Sequence, residues 1–171
     1  MTPLKDRVAV ITGGTGGIGL ESAKALRENG ATVVISDKNV ERGEIVSKEF
    51  GLEFIAADIT NSENVSNITR SVLQRHGRID IAFNNAGIAF CVPSEECTDE
   101  QWLKVISVNL NGVFYCCREF GKVMLSQGKG SIINTASMSG LISNYPQPQS
   151  AYNASKAGVI MLTKSLAGEW A

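Results

Sequence analysis

Val8-Ala9-Val10-Ile11-Thr12-Gly13-Gly14-Thr15-Gly16-Gly17-Ile18-Gly19 is the stretch that decides the fold. Its first five residues are apolar or β-branched, the pattern of a strand buried on both faces. Ile18, Leu20, Ala23 and Leu26 then recur at helical spacing, and Asn29-Gly30 supplies a stop. The glycines therefore stand where a strand turns into a helix. Glycine lets the backbone turn tightly and approach a pyrophosphate closely. Free N–H groups and the helix dipole favour an anion at that point. Gly14, Gly16 and Gly19 match G-x-G-x-x-G, while Gly13, Gly17 and Gly19 match T-G-x-x-x-G-x-G. By itself the run would also suit a tight turn without a ligand.

Working outward, residues 32–36, 53–57, 79–83 and 131–136 read as further strands. Helices are expected over residues 40–50, from Asn61 or Ser62 to His76, from residue 100 to about 127, and over 150–170. Gly77 can end the second of these, and Thr98 or Asp99 can cap the third. Residues 139–149, with Pro146 and Pro148, read as a loop. Apolar strands alternating with helices predict an α/β fold with a Rossmann-type, doubly wound parallel sheet. Right-handed crossovers make 3-2-1-4-5 the expected strand order. No repeat or linker interrupts the pattern, so residues 1–171 read as one domain.

The chain has 171 residues, with 16 Lys and Arg against 17 Asp and Glu, a formal charge of −1. That balance argues against nucleic acid or an acidic membrane as partner. No apolar run approaches the roughly 20 residues of a membrane span, and the N-terminus lacks a signal-peptide pattern. Cys91, Cys97, Cys116 and Cys117 form no C-x-x-C pair, and His76 stands apart from them. A metal site is not expected. Cys116 and Cys117 read as small hydrophobes on a buried helix. Free thiols without a signal point to the cytoplasm.

Asp37 ends the second strand, 18 residues after Gly19. A carboxylate there can accept hydrogen bonds from an adenosine ribose and repels a 2′-phosphate, which favours NAD over NADP. Lys38 works the other way, since it could bind that phosphate, but the glycine loop holds no Lys or Arg to help it. Asp58 ends the third strand, where it could meet an adenine amino group or simply cap the next helix. Tyr152 and Lys156 are four apart on an expected helix and so share a face. A free tyrosine has a pKa of about 10 and is a poor base at neutral pH. An ammonium about 6 Å away is worth about 3 kcal/mol, or roughly two pKa units. That brings a phenol into a useful range for proton transfer.

These motifs together resemble the short-chain dehydrogenase/reductase family. The matching residues are Thr12 to Gly19, Asn84-Asn85-Ala86-Gly87, Asn109, Ser137 and Tyr152-Asn153-Ala154-Ser155-Lys156, in the family's order. The resemblance implies hydride transfer between a nicotinamide cofactor and a secondary alcohol or ketone. It makes Tyr152 the group that takes or returns the substrate proton. Lys156 would lower the tyrosine pKa and hold the nicotinamide ribose. Ser137 would bond the substrate oxygen, and Asn109 would hold a water through a local break in its helix. Gly13, Thr15, Gly17, Ile18, Gly19, Asp37, Asp58, Ile59 and Asn85 would contact the cofactor, NAD in preference to NADP, together with Tyr152 and Lys156.

Counting back 13 residues from Tyr152, a common family spacing, lands on Ser139; aligning Ile132-Ile133-Asn134 and Gly140 favours Ser137 instead. The stretch from Ser137 to Tyr152 resembles members acting on sugar alcohols and ketoses. Asn144, Gln147 and Gln149 could pair with several hydroxyls there, or could bind only backbone and solvent. A 3-oxoacyl-thioester reductase is the next reading. A non-catalytic NAD-binding or interaction fragment is the reading from another class. Family members continue beyond the point where this chain stops, with a sixth strand, a lid and a seventh strand. The expectation is therefore a C-terminally incomplete domain whose fifth strand lies at an open edge. The resemblance also implies a homo-oligomer at full length.

Overall fold

Every residue of strand β1 (Val8–Thr12) is buried, because strands flank it on both sides and helices cover both faces. The computed structural model describes residues 3–171. β1 pairs in parallel with β2 (Thr32–Asp37) and with β4 (Ile81–Asn84). β2 continues to β3 (Glu53–Ala56), and β4 to β5 (Ser131–Asn134). The order is β3-β2-β1-β4-β5, as the alternating pattern predicts.

Neighbouring residues of a strand point to opposite faces. Val10 and Val34, paired in register, pack with Val65, Ile68, Val72 and Phe120 on one side. Ile11 and Ile35, the next pair, pack with Leu20, Ala23 and Val46 on the other. Full burial of each such side chain is worth about 1.5–3 kcal/mol. The covering helices are α1 (Gly17–Glu28), α2 (Val40–Phe50), α3 (Ser62–His76), α4 (Asp99–Ile106), α5 (Val113–Gln127) and α6 (Ser150–Trp170). Asn39 caps α2, Asn61 caps α3, and Thr98 with Gln101 forms a capping box on α4.

The expected long helix is α4 and α5 joined by a π-helical segment, Ser107–Gly112, which contains Asn109. β4 and β5 differ from expectation at their ends. β5 stops at Asn134, two residues early, because the Thr135 carbonyl turns to accept a bond from Lys156 Nζ at 2.6 Å. The expected loop is entered through a short 3₁₀ turn, Met138–Gly140, capped by the Ser137 side chain. Cys116 and Cys117 are fully buried, and burial pushes both thiols up in pKa. Among the described residues no helix is long and apolar enough to cross a membrane, and no group of three His, Cys, Asp or Glu could hold a metal ion.

Candidate active site

A cavity of about 1000 Å³ opens over the carboxyl ends of β1, β2 and β4. Gly13, Thr15, Ile18, Asp37, Asp58, Ile59, Asn85, Ser137, Tyr152 and Lys156 all line it. The other three expected site residues, Gly17, Gly19 and Asn109, stand just outside that lining. A second cleft, of about 410 Å³, lies between α5 and α6 beside Met124, Leu166 and Trp170, and holds none of them.

The glycine loop is shaped by contact on one side and openness on the other. Gly13 has φ +64°, and a Cβ on Gly19 would lie 2.2 Å from the Gly13 carbonyl oxygen. Asn85 Nδ2 donates to that same carbonyl at 3.1 Å, tying the loop to the end of β4. By contrast, a Cβ at Gly16 or Gly17 would meet nothing within 4 Å. Gly16 gives α1 no side-chain cap, and the first turn carries no acidic residue. The N–H groups of its first turn thus have no side-chain cap, a donor set that fits a pyrophosphate.

Asp37 lies at the end of β2. Its carboxylate accepts a bond from Thr15 Oγ1 at 2.8 Å and from the Asn39 N–H at 3.0 Å. Arg42 Nε donates to the Thr15 carbonyl at 3.3 Å, so α2 also steadies the loop. Lys38 lines the cavity beside Asp37. Asp58 closes the next strand end and accepts from the Thr60 N–H and hydroxyl at 2.9 and 2.8 Å. Burial alone would raise its pKa, but the Thr60 bonds and the Lys38 charge outweigh it and leave the carboxyl lowered. Asn61, not Asp58, supplies the side-chain cap of α3.

Tyr152 and Lys156 stand on the first turns of α6. Lys156 Nζ lies 5.6 Å from the centroid of the Tyr152 ring, so the two side chains meet on one face of the helix. Lys156 is 2% exposed, and burial pushes its pKa below the ordinary lysine value. Gly140 lets the serine-bearing turn lie on α6, since a Cβ there would sit 2.7 Å from the Ala157 nitrogen.

Asn109 is fully buried. Its Oδ1 accepts from the Ile88 N–H at 2.8 Å, and its Nδ2 donates to the Ile88 carbonyl at 2.9 Å and to Ser155 Oγ at 3.1 Å. It clamps the chain after β4 to α6. Asn144 and Gln149, for which the sequence left open substrate hydroxyls or backbone and solvent, both donate instead to Ser139 Oγ. Sequence reasoning missed the Thr135 carbonyl that anchors Lys156, because a backbone acceptor leaves no mark in residue type. It also missed the Thr15–Asp37 bond, although a hydroxyl in the loop opposite a carboxylate was a usable signal.

Residues 7–171 match the family model described as short chain dehydrogenase. Galactitol 2-dehydrogenase of Rhizobium johnstonii is 43% identical over 168 residues, covering 95% of this chain and 65% of that protein. The probable NADP-dependent mannitol dehydrogenase of Yarrowia lipolytica is 41% identical, covering 98% of this chain and 63% of that protein. The chain thus spans about two thirds of the length of these relatives. The crystal structure of gox2181 superposes with a TM-score of 0.97 at 44% identity, covering 99% of this chain and 68% of that one. With its sheet order, its glycine loop and its Tyr152–Lys156 pair in one cavity, the chain belongs to the short chain dehydrogenase family.

Proposed function

We propose that this chain carries the reaction centre of a nicotinamide-dependent oxidoreductase acting on a secondary alcohol or ketone, with a polyol or ketose as substrate. The observation that carries this reading is the buried Lys156 ammonium, 5.6 Å from the Tyr152 ring in the cavity that the glycine loop also lines. When bound, a nicotinamide dinucleotide supplies the centre that accepts or gives up hydride. The uncapped N–H groups at the start of α1 hold its pyrophosphate. Asp37 accepts from the ribose hydroxyls of its adenosine end. The negative charge of Asp37 favours NAD over NADP, with Lys38 as the counterweight.

Tyr152 takes the proton of the substrate hydroxyl during oxidation and returns it during reduction. Lys156, fixed by the Thr135 carbonyl, stabilises the phenolate that results. Ser137 donates to the substrate oxygen and so orients the reacting carbon. Asn109 keeps Ile88 and Ser155 in place behind Lys156, and acts here as a positioning residue. The polyol reading draws support from the relatives named for galactitol and mannitol and from the amides and hydroxyls on the cavity rim.

The test is Tyr152→Phe, assayed with a panel of polyols. Turnover should fall by about a thousandfold or more, while NADH binding, followed by fluorescence, stays within about twofold. Retained turnover in the variant would refute the role of Tyr152. NADPH binding tighter than NADH in the unaltered chain would refute the preference assigned to Asp37.

A further inference from the structure

Ser139 lies two residues past Ser137 in the 3₁₀ turn and lines the same cavity, although it is only 5% exposed. Its Oγ receives two hydrogen bonds, from Asn144 Nδ2 at 2.6 Å and from Gln149 Nε2 at 3.3 Å. A hydroxyl has two acceptor lone pairs and one proton. Both lone pairs are engaged, so the O–H is the one valence left. No protein acceptor takes that proton among the bonds of the described residues. The two amides thus turn an ambivalent group into an obligate donor. Ser137 is different: its Oγ accepts only the Ser139 N–H, at 3.1 Å. That bond holds the two serines side by side on one turn.

We propose that Ser139 is a specificity-determining donor for the oxygen on the carbon next to the reacting one. Two serines of one short turn, both lining the cavity, suit two oxygens on neighbouring carbons of the substrate. The site then selects vicinal diols and α-hydroxy ketones over simple secondary alcohols and ketones. This rests on the assignment of Ser137 and Tyr152 to the reacting oxygen. Asn144 and Gln149 act through Ser139 as positioning residues: they fix the direction of its proton.

The test compares kcat/KM for 2,3-butanediol and 2-butanol with the purified chain and NAD. Ser139→Ala should lower the diol-to-alcohol ratio about tenfold, the value of one well-placed hydrogen bond. Ser139→Thr keeps the hydroxyl and should keep the ratio within about threefold. Asn144→Asp replaces a donor by an acceptor-only carboxylate that captures the Ser139 proton. It should lower the ratio as Ser139→Ala does, although the serine is intact. A merely structural role would depress both alcohols alike and leave the ratio unchanged. An unchanged ratio in Ser139→Ala or in Asn144→Asp overturns the proposal and leaves the role of Tyr152 standing. Wild-type protein that turns over 2-butanol as readily as 2,3-butanediol overturns the proposal alone, and wild-type protein that turns over neither of them nor any polyol of the panel overturns both.

Discussion

Asp80 is 6% exposed and still charged. Burial alone would raise its pKa. The Arg78 guanidinium, with Nε 2.7 Å from Oδ2, the Val8 N–H at 3.0 Å and Arg7 outweigh that and bring it to about 2. The ordinary value is 3.8, so the folded chain holds the carboxylate more firmly than the unfolded one. A depressed carboxyl pKa stabilises the fold above the unfolded value and loses its effect as pH falls through the folded value. The contribution is on the order of 2 kcal/mol, and it disappears between about pH 4 and pH 2. In denaturant titrations Asp80→Asn should be less stable at neutral pH by about that amount, with a shallower loss of stability in acid. Equal acid slopes for the two proteins would show that Asp80 is not the group responsible. The same residue accounts for the late start assigned to β4: its carboxylate, at the mouth of the strand, binds the first N–H of β1.

At the level of elements, the contact between the 3₁₀ turn and α6 determines whether serine and tyrosine meet. Gly140→Val places a side chain where the Lys156 carbon and the Ala157 nitrogen already stand, each 2.7 Å from a Cβ. The turn must lift from α6, at a cost of about 1–3 kcal/mol. Turnover should fall sharply while NADH binding changes little, because the glycine loop and Asp37 belong to other elements. Thermal unfolding together with steady-state kinetics reads both; an unchanged kcat would mean that the turn does not position Ser137. Five strands, their order and the ends of most helices were legible in the sequence, since burial on two faces leaves near-continuous apolar runs. The glycine loop, Asp37, Tyr152 and Lys156 were legible because their chemistry sits at fixed spacing on those elements. The π segment was not, as nothing in Ser107-Val108-Asn109-Leu110-Asn111-Gly112 distinguishes an i→i+5 turn from an α turn; only the family resemblance hinted at a break there. The bonding of Asn144 and Gln149 was not legible either. It depends on how an irregular loop folds back on Ser139, and periodicity carries no information about that.

Across the whole molecule, protection should be graded from the centre of the sheet outward. β1 is wholly buried between two partners, whereas β3 and β5 each have one partner strand and partly exposed side chains. Ile133 on β5 is 50% exposed. Amide hydrogen exchange should be slowest in β1 and faster in β3 and β5. Uniform protection over all five strands would mean that the sheet opens only as a unit. The cavity, too, is assembled from distant parts of the chain. Its glycine loop, Asp37 and Asp58 come from the first three strands and their turns, while Lys156 reaches the Thr135 carbonyl from the last helix. A ribosome delivers these parts in that order. The residues proposed for the adenosine end are therefore synthesised well before Tyr152 and Lys156, but the loop that carries them is tied down only once Asn85 follows β4. The last helix to be made is thus the one that joins the two halves of the cavity, through the bond from Lys156 to the Thr135 carbonyl.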